Sequence, residues 1–189
     1  MSADDRYALV DVEVPLPEIW TFSTLGADER SDAEAELARM LADKVDDPAA
    51  VAEASVIEFF ERIGGGGAPL MLASFREVLD DDSVLTASLM VTKNELGGSL
   101  EPWRDAYPDA AEVMVDGETA LRTFEQTTVE VTGLFDEPLT VSTWRYLVPF
   151  DPRSILMFAF SSPNSELGDE LVQHFDEIMD DVQVVSEPE

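Results

Sequence analysis

Ile155-Leu156-Met157-Phe158-Ala159-Phe160 is apolar at every position. A strand with one wet face alternates apolar and polar residues, so an unbroken apolar run marks a strand covered on both faces. This strand spans residues 155–161. Before it, across a tight turn at Asp151-Pro152, residues 139–148 read as a strand with Trp144, Tyr146 and Val148 on one face and Thr143 and Arg145 on the other. After it, residues 166–181 carry Leu167, Leu171, Phe175 and Ile178, followed by Val182, at helical spacing. That gives the helix one apolar face to lay over the sheet. The C-terminal third reads as sheet core plus lid.

Upstream, residues 7–22 form an entry strand that breaks at Pro15 and Pro17 and resumes near Trp20, because proline cannot donate to a ladder. Ser31-Asp32-Ala33-Glu34 has the spacing of a capping box and opens a helix to about residue 45. Asp47-Pro48 opens a second helix, which Gly64 to Gly67 stops. A hairpin follows, with strands 70–79 and 84–93 around Asp80-Asp81-Asp82-Ser83. Residues 99–106 make a short helix anchored by Trp103. Asp116-Gly117 signals a two-residue hairpin turn into a long, threonine-rich strand over 119–131. Strands joined by short turns dominate 68–161, which implies antiparallel pairing. The expected class is α+β: an antiparallel six- or seven-stranded sheet covered by N-terminal helices at 31–63 and a C-terminal closing helix at 166–181, in a single domain spanning 1–189.

The chain has 189 residues, of which 41 are acidic and 11 basic, for a formal net charge of −30. Binding to nucleic acid or to anionic lipid is electrostatically opposed. The charge fits a generally acidic surface, such as a high-salt cytoplasm selects, or a surface that receives a basic partner. Disorder through self-repulsion is opposed by the 45% hydrophobic content. There is no cysteine, which excludes disulfides, thiolate nucleophiles and cysteine metal sites. No apolar run approaches the roughly 20 residues of a membrane span. Met1 to Arg6 lacks a basic n-region and an apolar h-region, so the expected address is the cytoplasm.

Three stretches resemble the PsbP-like/Mog-like α/β sandwich group, which includes actinobacterial lipoproteins of the LpqN type. They are Val14-Pro15-Leu16-Pro17-Glu18-Ile19-Trp20, Val115-Asp116-Gly117-Glu118-Thr119-Ala120-Leu121-Arg122, and Tyr146-Leu147-Val148-Pro149 continuing to the closing helix at Phe175-Asp176-Glu177-Ile178. The resemblance implies an antiparallel sheet between helices, in proteins that mostly bind other proteins instead of catalysing. The chain departs from the group in lacking a lipobox cysteine and in the length of its paired helices.

Of the residues that could carry chemistry, His174 is the sole histidine, at the edge of the closing helix's apolar stripe with Glu170 and Glu177 nearby in sequence. It reads as a boundary histidine, since a metal site wants more imidazole or a spaced carboxylate cage. Gly64 to Gly67 ends a helix, whereas a phosphate cradle opens one and is followed by lysine. Asp80 to Asp82 are consecutive, unlike the alternate carboxylates of a calcium loop. Asp46-Asp47 and Asp180-Asp181 read as helix-end charges. Trp103, Arg104, Trp144 and Arg145 are the candidates for a partner-facing patch, because tryptophan and arginine are enriched at interface hot spots. Core packing is the competing reading for Trp144. The expectation is a non-enzymatic protein-binding or adaptor module with no catalytic residue, cofactor or metal, and with another protein, which can be a basic one, as partner. The alternatives are an acidic immunity-type inhibitor of a basic toxin or nuclease, and a small enzyme with a carboxylate site in a cleft.

Overall fold

The structure, a computed structural model, describes residues 8–9, 12–23, 68–78, 84–95, 97–129 and 138–184. In chain order its elements are β1 (Ala8–Leu9), β2 (Val12–Glu13), β3 (Thr21–Ser23), β4 (Ala68–Val78), β5 (Val84–Asn94), α1 (Glu101–Ala106), β6 (Ala111–Val115), β7 (Glu118–Val129), β8 (Leu139–Asp151), β9 (Ser154–Ser162), a 3-10 turn (Ser165–Leu167), α2 (Gly168–Asp180) and β10 (Gln183–Val184). Seven strands form one antiparallel sheet in the order β3-β4-β5-β9-β8-β7-β6. The apolar strand β9 is therefore central, and every one of its residues is buried. A second, three-stranded sheet places β2 between β1 and β10.

The pleat sorts the core into two layers. On one face Phe160 lies opposite Leu89 and Trp144, Phe158 opposite Val91 and Tyr146, and Leu156 opposite Val148. Helix α2 lays Leu171, Phe175, Ile178 and Met179 on this face. The Phe175 ring stacks on Phe160 at 4.4 Å and meets Trp144 edge-on at 5.4 Å. On the other face Leu121, Leu147, Ile155 and Met157 gather with Leu100, which precedes α1, and with Trp103. This smaller cluster anchors α1.

Local chemistry fixes the ends of the strands. Asp116 (φ 50°) and Gly117 (φ 78°) turn β6 into β7, the pair of positive φ angles that a tight hairpin turn demands. Beyond β9, Asn164 stands in for a strand residue at the start of β5. Its Oδ1 accepts from the Thr86 N–H and its Nδ2 donates to the Val84 carbonyl, both at 3.0 Å. Ser162 Oγ donates to the Thr86 carbonyl at 2.7 Å.

The expected α+β class is corrected here. The described residues are mostly β, and their helix is confined to two short segments and one 3-10 turn, all after residue 100. They build no sheet covered by N-terminal helices. The reason is strand length: β4, β5, β7 and β8 run 11, 11, 12 and 13 residues, about twice the usual strand. The helices expected over 31–63, the glycine stop at 64–67 and the aspartates at 80–82 lie outside the described residues. Among the described residues no helix is long and apolar enough to cross a membrane.

Candidate functional site

Arg122 on β7 and Tyr146 on β8 are register partners on the face beneath α2, so both can reach the helix. They converge on Asp176. Tyr146 Oη donates to Asp176 Oδ1 at 2.7 Å, and Arg122 Nη1 donates to Oδ2 in an ion pair. Burial, then the hydrogen bond to Asp176 and its negative charge, push the Tyr146 phenol far above its ordinary range. It stays protonated and acts as a donor, not as a phenolate base. With both carboxylate oxygens engaged, the triad fastens α2 to the sheet. A cavity of about 300 Å³ opens beside it, lined also by Val113, Met114, Met179 and Asp180.

A second constellation sits at the β8–β9 turn. Asp151 accepts from the Arg153 N–H at 2.6 Å and from Ser154 Oγ at 2.5 Å, and Lys93 Nζ lies 3.7 Å away. Lys93 also rests over the Phe150 ring at 4.4 Å. The Ser154 hydroxyl, then the Arg153 amide, hold the Asp151 carboxyl below its usual range. That is the direction opposite to a general acid, which needs a raised carboxyl. Gly98 packs so tightly under this turn that a Cβ there would stand 1.9 Å from the Asp151 carbonyl oxygen. Clefts of about 430 and 480 Å³ flank the turn, the first lined in part by Asp116, Glu118 and Phe150, the second by Lys93 and Glu95.

Of the four residues read from sequence as a partner-facing patch, Trp144 and Arg145 lie on opposite faces of the sheet. Trp144 is 4% exposed in the core beneath α2, between Phe175 and Phe124. Arg145, 8% exposed, points to the opposite face and donates to Glu125 Oε2 at 2.8 Å. Trp103 is half-buried, its ring stacked on Tyr107 at 6.3 Å. Arg104 pairs with Glu101 at 2.7 Å and Glu112 at 2.6 Å. His174 takes Trp20 as its partner, while Glu177 accepts from Gln173 at 3.2 Å.

One feature escaped sequence reading. Strand β6 pairs with β7 only from Glu118 to Arg122, whereas β7 continues to Val129. Among the described residues, the outer edge of β7 from Thr123 to Val129 has no strand beside it. Phe124 stands on this stretch, 56% exposed and tilted against Trp144 at 5.2 Å. The signal was the mismatch between a short strand before Asp116-Gly117 and a long one after it.

No family model matches the chain, and no curated protein matches it. Among solved structures it is similar to one described as the crystal structure of LpqN, involved in cell envelope biogenesis of Mycobacterium tuberculosis. The likeness covers 93% of this chain and 83% of that one, at 8% sequence identity and a TM-score of 0.46. It is a distant relationship of fold alone.

Proposed function

We propose that the protein is a non-enzymatic binding module whose partner is a basic protein. The observation behind this reading is where the cations go. Lys93, Arg104, Arg122 and Arg145 each form an ion pair with an acid of the same chain: Asp151, Glu101 and Glu112, Asp176, and Glu125 respectively. With 41 acids to 11 bases, and these four cations matched by acids of the same chain, the surface field is strongly negative. Such a field raises the encounter rate with a positively charged protein and repels nucleic acid and anionic lipid. The two constellations built from titratable groups serve cohesion: the Asp176 triad fastens a helix, and Asp151 organises a turn.

Affinity capture from the native lysate at low and at high salt tests the reading. The expected result is a defined basic protein that is enriched over other basic proteins and whose association slows as salt rises. Promiscuous capture of basic proteins in proportion to their abundance would reduce the charge to general surface acidity and overturn the reading.

A further inference from the structure

We propose that the outer edge of β7, from Thr123 to Val129, is a docking strip for an extended cationic polypeptide segment, which adds to the sheet in line with β6. The proposal rests on the basic-partner reading and specifies how the partner is held. Three observations carry it.

The first is geometric. Seven consecutive residues of a strand already paired to β8 on its inner side span about 23 Å. Their outward N–H and C=O groups are a template for another strand. β6 cannot extend to cover them, because the chain enters it from α1 through Tyr107, Pro108 and Asp109, and α1 is held on the far cluster by Leu100 and Trp103.

The second is chemical. Natural sheets guard open edges with lysine, proline, bulges or inward charges. Thr123-Phe124-Glu125-Gln126-Thr127-Thr128-Val129 has no lysine, proline or glycine, and its β7–β8 register runs without a shift. Thr123, Phe124, Thr127, Thr128 and Val129 are of types that favour strands. In a molecule with so many charges, this edge carries one, Glu125.

The third names the occupant. Phe124 offers an exposed apolar anchor on the α2 face of the strip, and on the other Glu125, whose Oε2 takes Arg145, presents a carboxylate that is about half exposed. An incoming strand that alternates apolar and basic residues satisfies both faces. A second copy of this chain would bring −30 against −30 and is repelled. Main-chain hydrogen bonds then supply affinity and the alternating side chains supply selectivity.

The probe is the synthetic peptide acetyl-Lys-Val-Lys-Val-Lys-Val-Lys-amide, with its fully N-methylated analogue as control. Both carry the same charge, but the analogue has no backbone donors. The first peptide should bind and slow hydrogen exchange at the alternate amides of residues 123–129 that face away from β8, and the analogue should bind about tenfold more weakly. Phe124→Thr, which keeps strand propensity, should weaken the first peptide by a similar factor. Thr128→Lys, an exposed position on the Phe124 face, should do the same without touching the core. Equal binding of the two peptides overturns the strip while leaving the basic-partner reading intact. Protection of these amides without peptide, in a dimer seen by sedimentation, assigns the edge to a second copy and also overturns the proposal. Failure of the peptide to bind at low salt overturns the strip, and the lysate capture then decides the broader reading separately.

Discussion

The Trp20 indole donates its Nε1–H to Nε2 of His174 across 3.4 Å, and the two rings stack with centroids 6.3 Å apart. In this bond Nε2 of His174 is the acceptor. Through it the segment after Pro15 and Pro17 is tied to α2, 154 residues later in the chain. Phe75 meets both rings, Trp20 at 4.9 Å and His174 at 6.0 Å.

His174→Gln should cost about 1 kcal/mol in urea titration. The glutamine amide can still accept from Trp20, but the ring stack and the edge contact with Phe75 are lost. A loss above about 3 kcal/mol would make His174 a core residue instead of a boundary one.

Tyr146→Phe keeps the ring between the sheet and α2 and removes the donor to Asp176. A hydrogen bond to a charged group contributes about 1.5–3 kcal/mol, so a destabilisation in that range is expected by chemical denaturation. An unchanged midpoint would show that Arg122 alone holds the carboxylate.

The depressed Asp151 carboxyl makes stability depend on pH with a definite sign. Its ionised form is favoured by folding, so its contribution is whole above the ordinary aspartate value of 3.8 and is lost as pH falls through the lower folded value. Asp151→Asn should be less stable than the parent at neutral pH. The gap should close as both are titrated with acid to about pH 2, because the parent's carboxyl is then protonated as well. A gap of constant size across that window would assign the loss to geometry and not to charge.

Phe158→Ala empties the centre of the sheet, where Phe158 is 0% exposed beside Val91 and Tyr146. The expected cost is about 3–5 kcal/mol, read from denaturant midpoints at constant m-value. A cost below about 1 kcal/mol would contradict the central position of β9.

The centre of the fold was legible because periodicity reports burial directly. Six apolar residues in a row gave a strand covered on both faces, and β9 is buried throughout. The same period of two also held a warning about Trp144 and Arg145. Neighbours on a strand point to opposite faces, so the pair could never form one patch. Composition statistics for interface residues carry no such geometry. The Asp176 triad was illegible for a different reason. Its members lie 24 and 30 residues apart along the chain, and one acid among 41 becomes distinctive only when folding buries a phenol against it. Strand lengths were underread at β8, where a proline at position 149 suggests an end. The register shift between Pro149 and Asp151 lets the ladder continue past it.

The sheet order has a kinetic consequence. β4 and β5 are sequence neighbours that pair antiparallel, and β6 through β9 follow one another across the sheet in chain order. The two units meet along β5 and β9, in pairs such as Val91 with Phe158 that are 67 positions apart. Hairpins assemble in microseconds, while contacts this distant must first overcome loop-closure entropy. By the same entropy the β5–β9 seam is expected to close after the two hairpin units have formed, and the β2–β10 pairing, 172 positions apart at Val12 and Val184, later still. Until the seam forms, the apolar edge of β9 stands open as a template for the wrong strand.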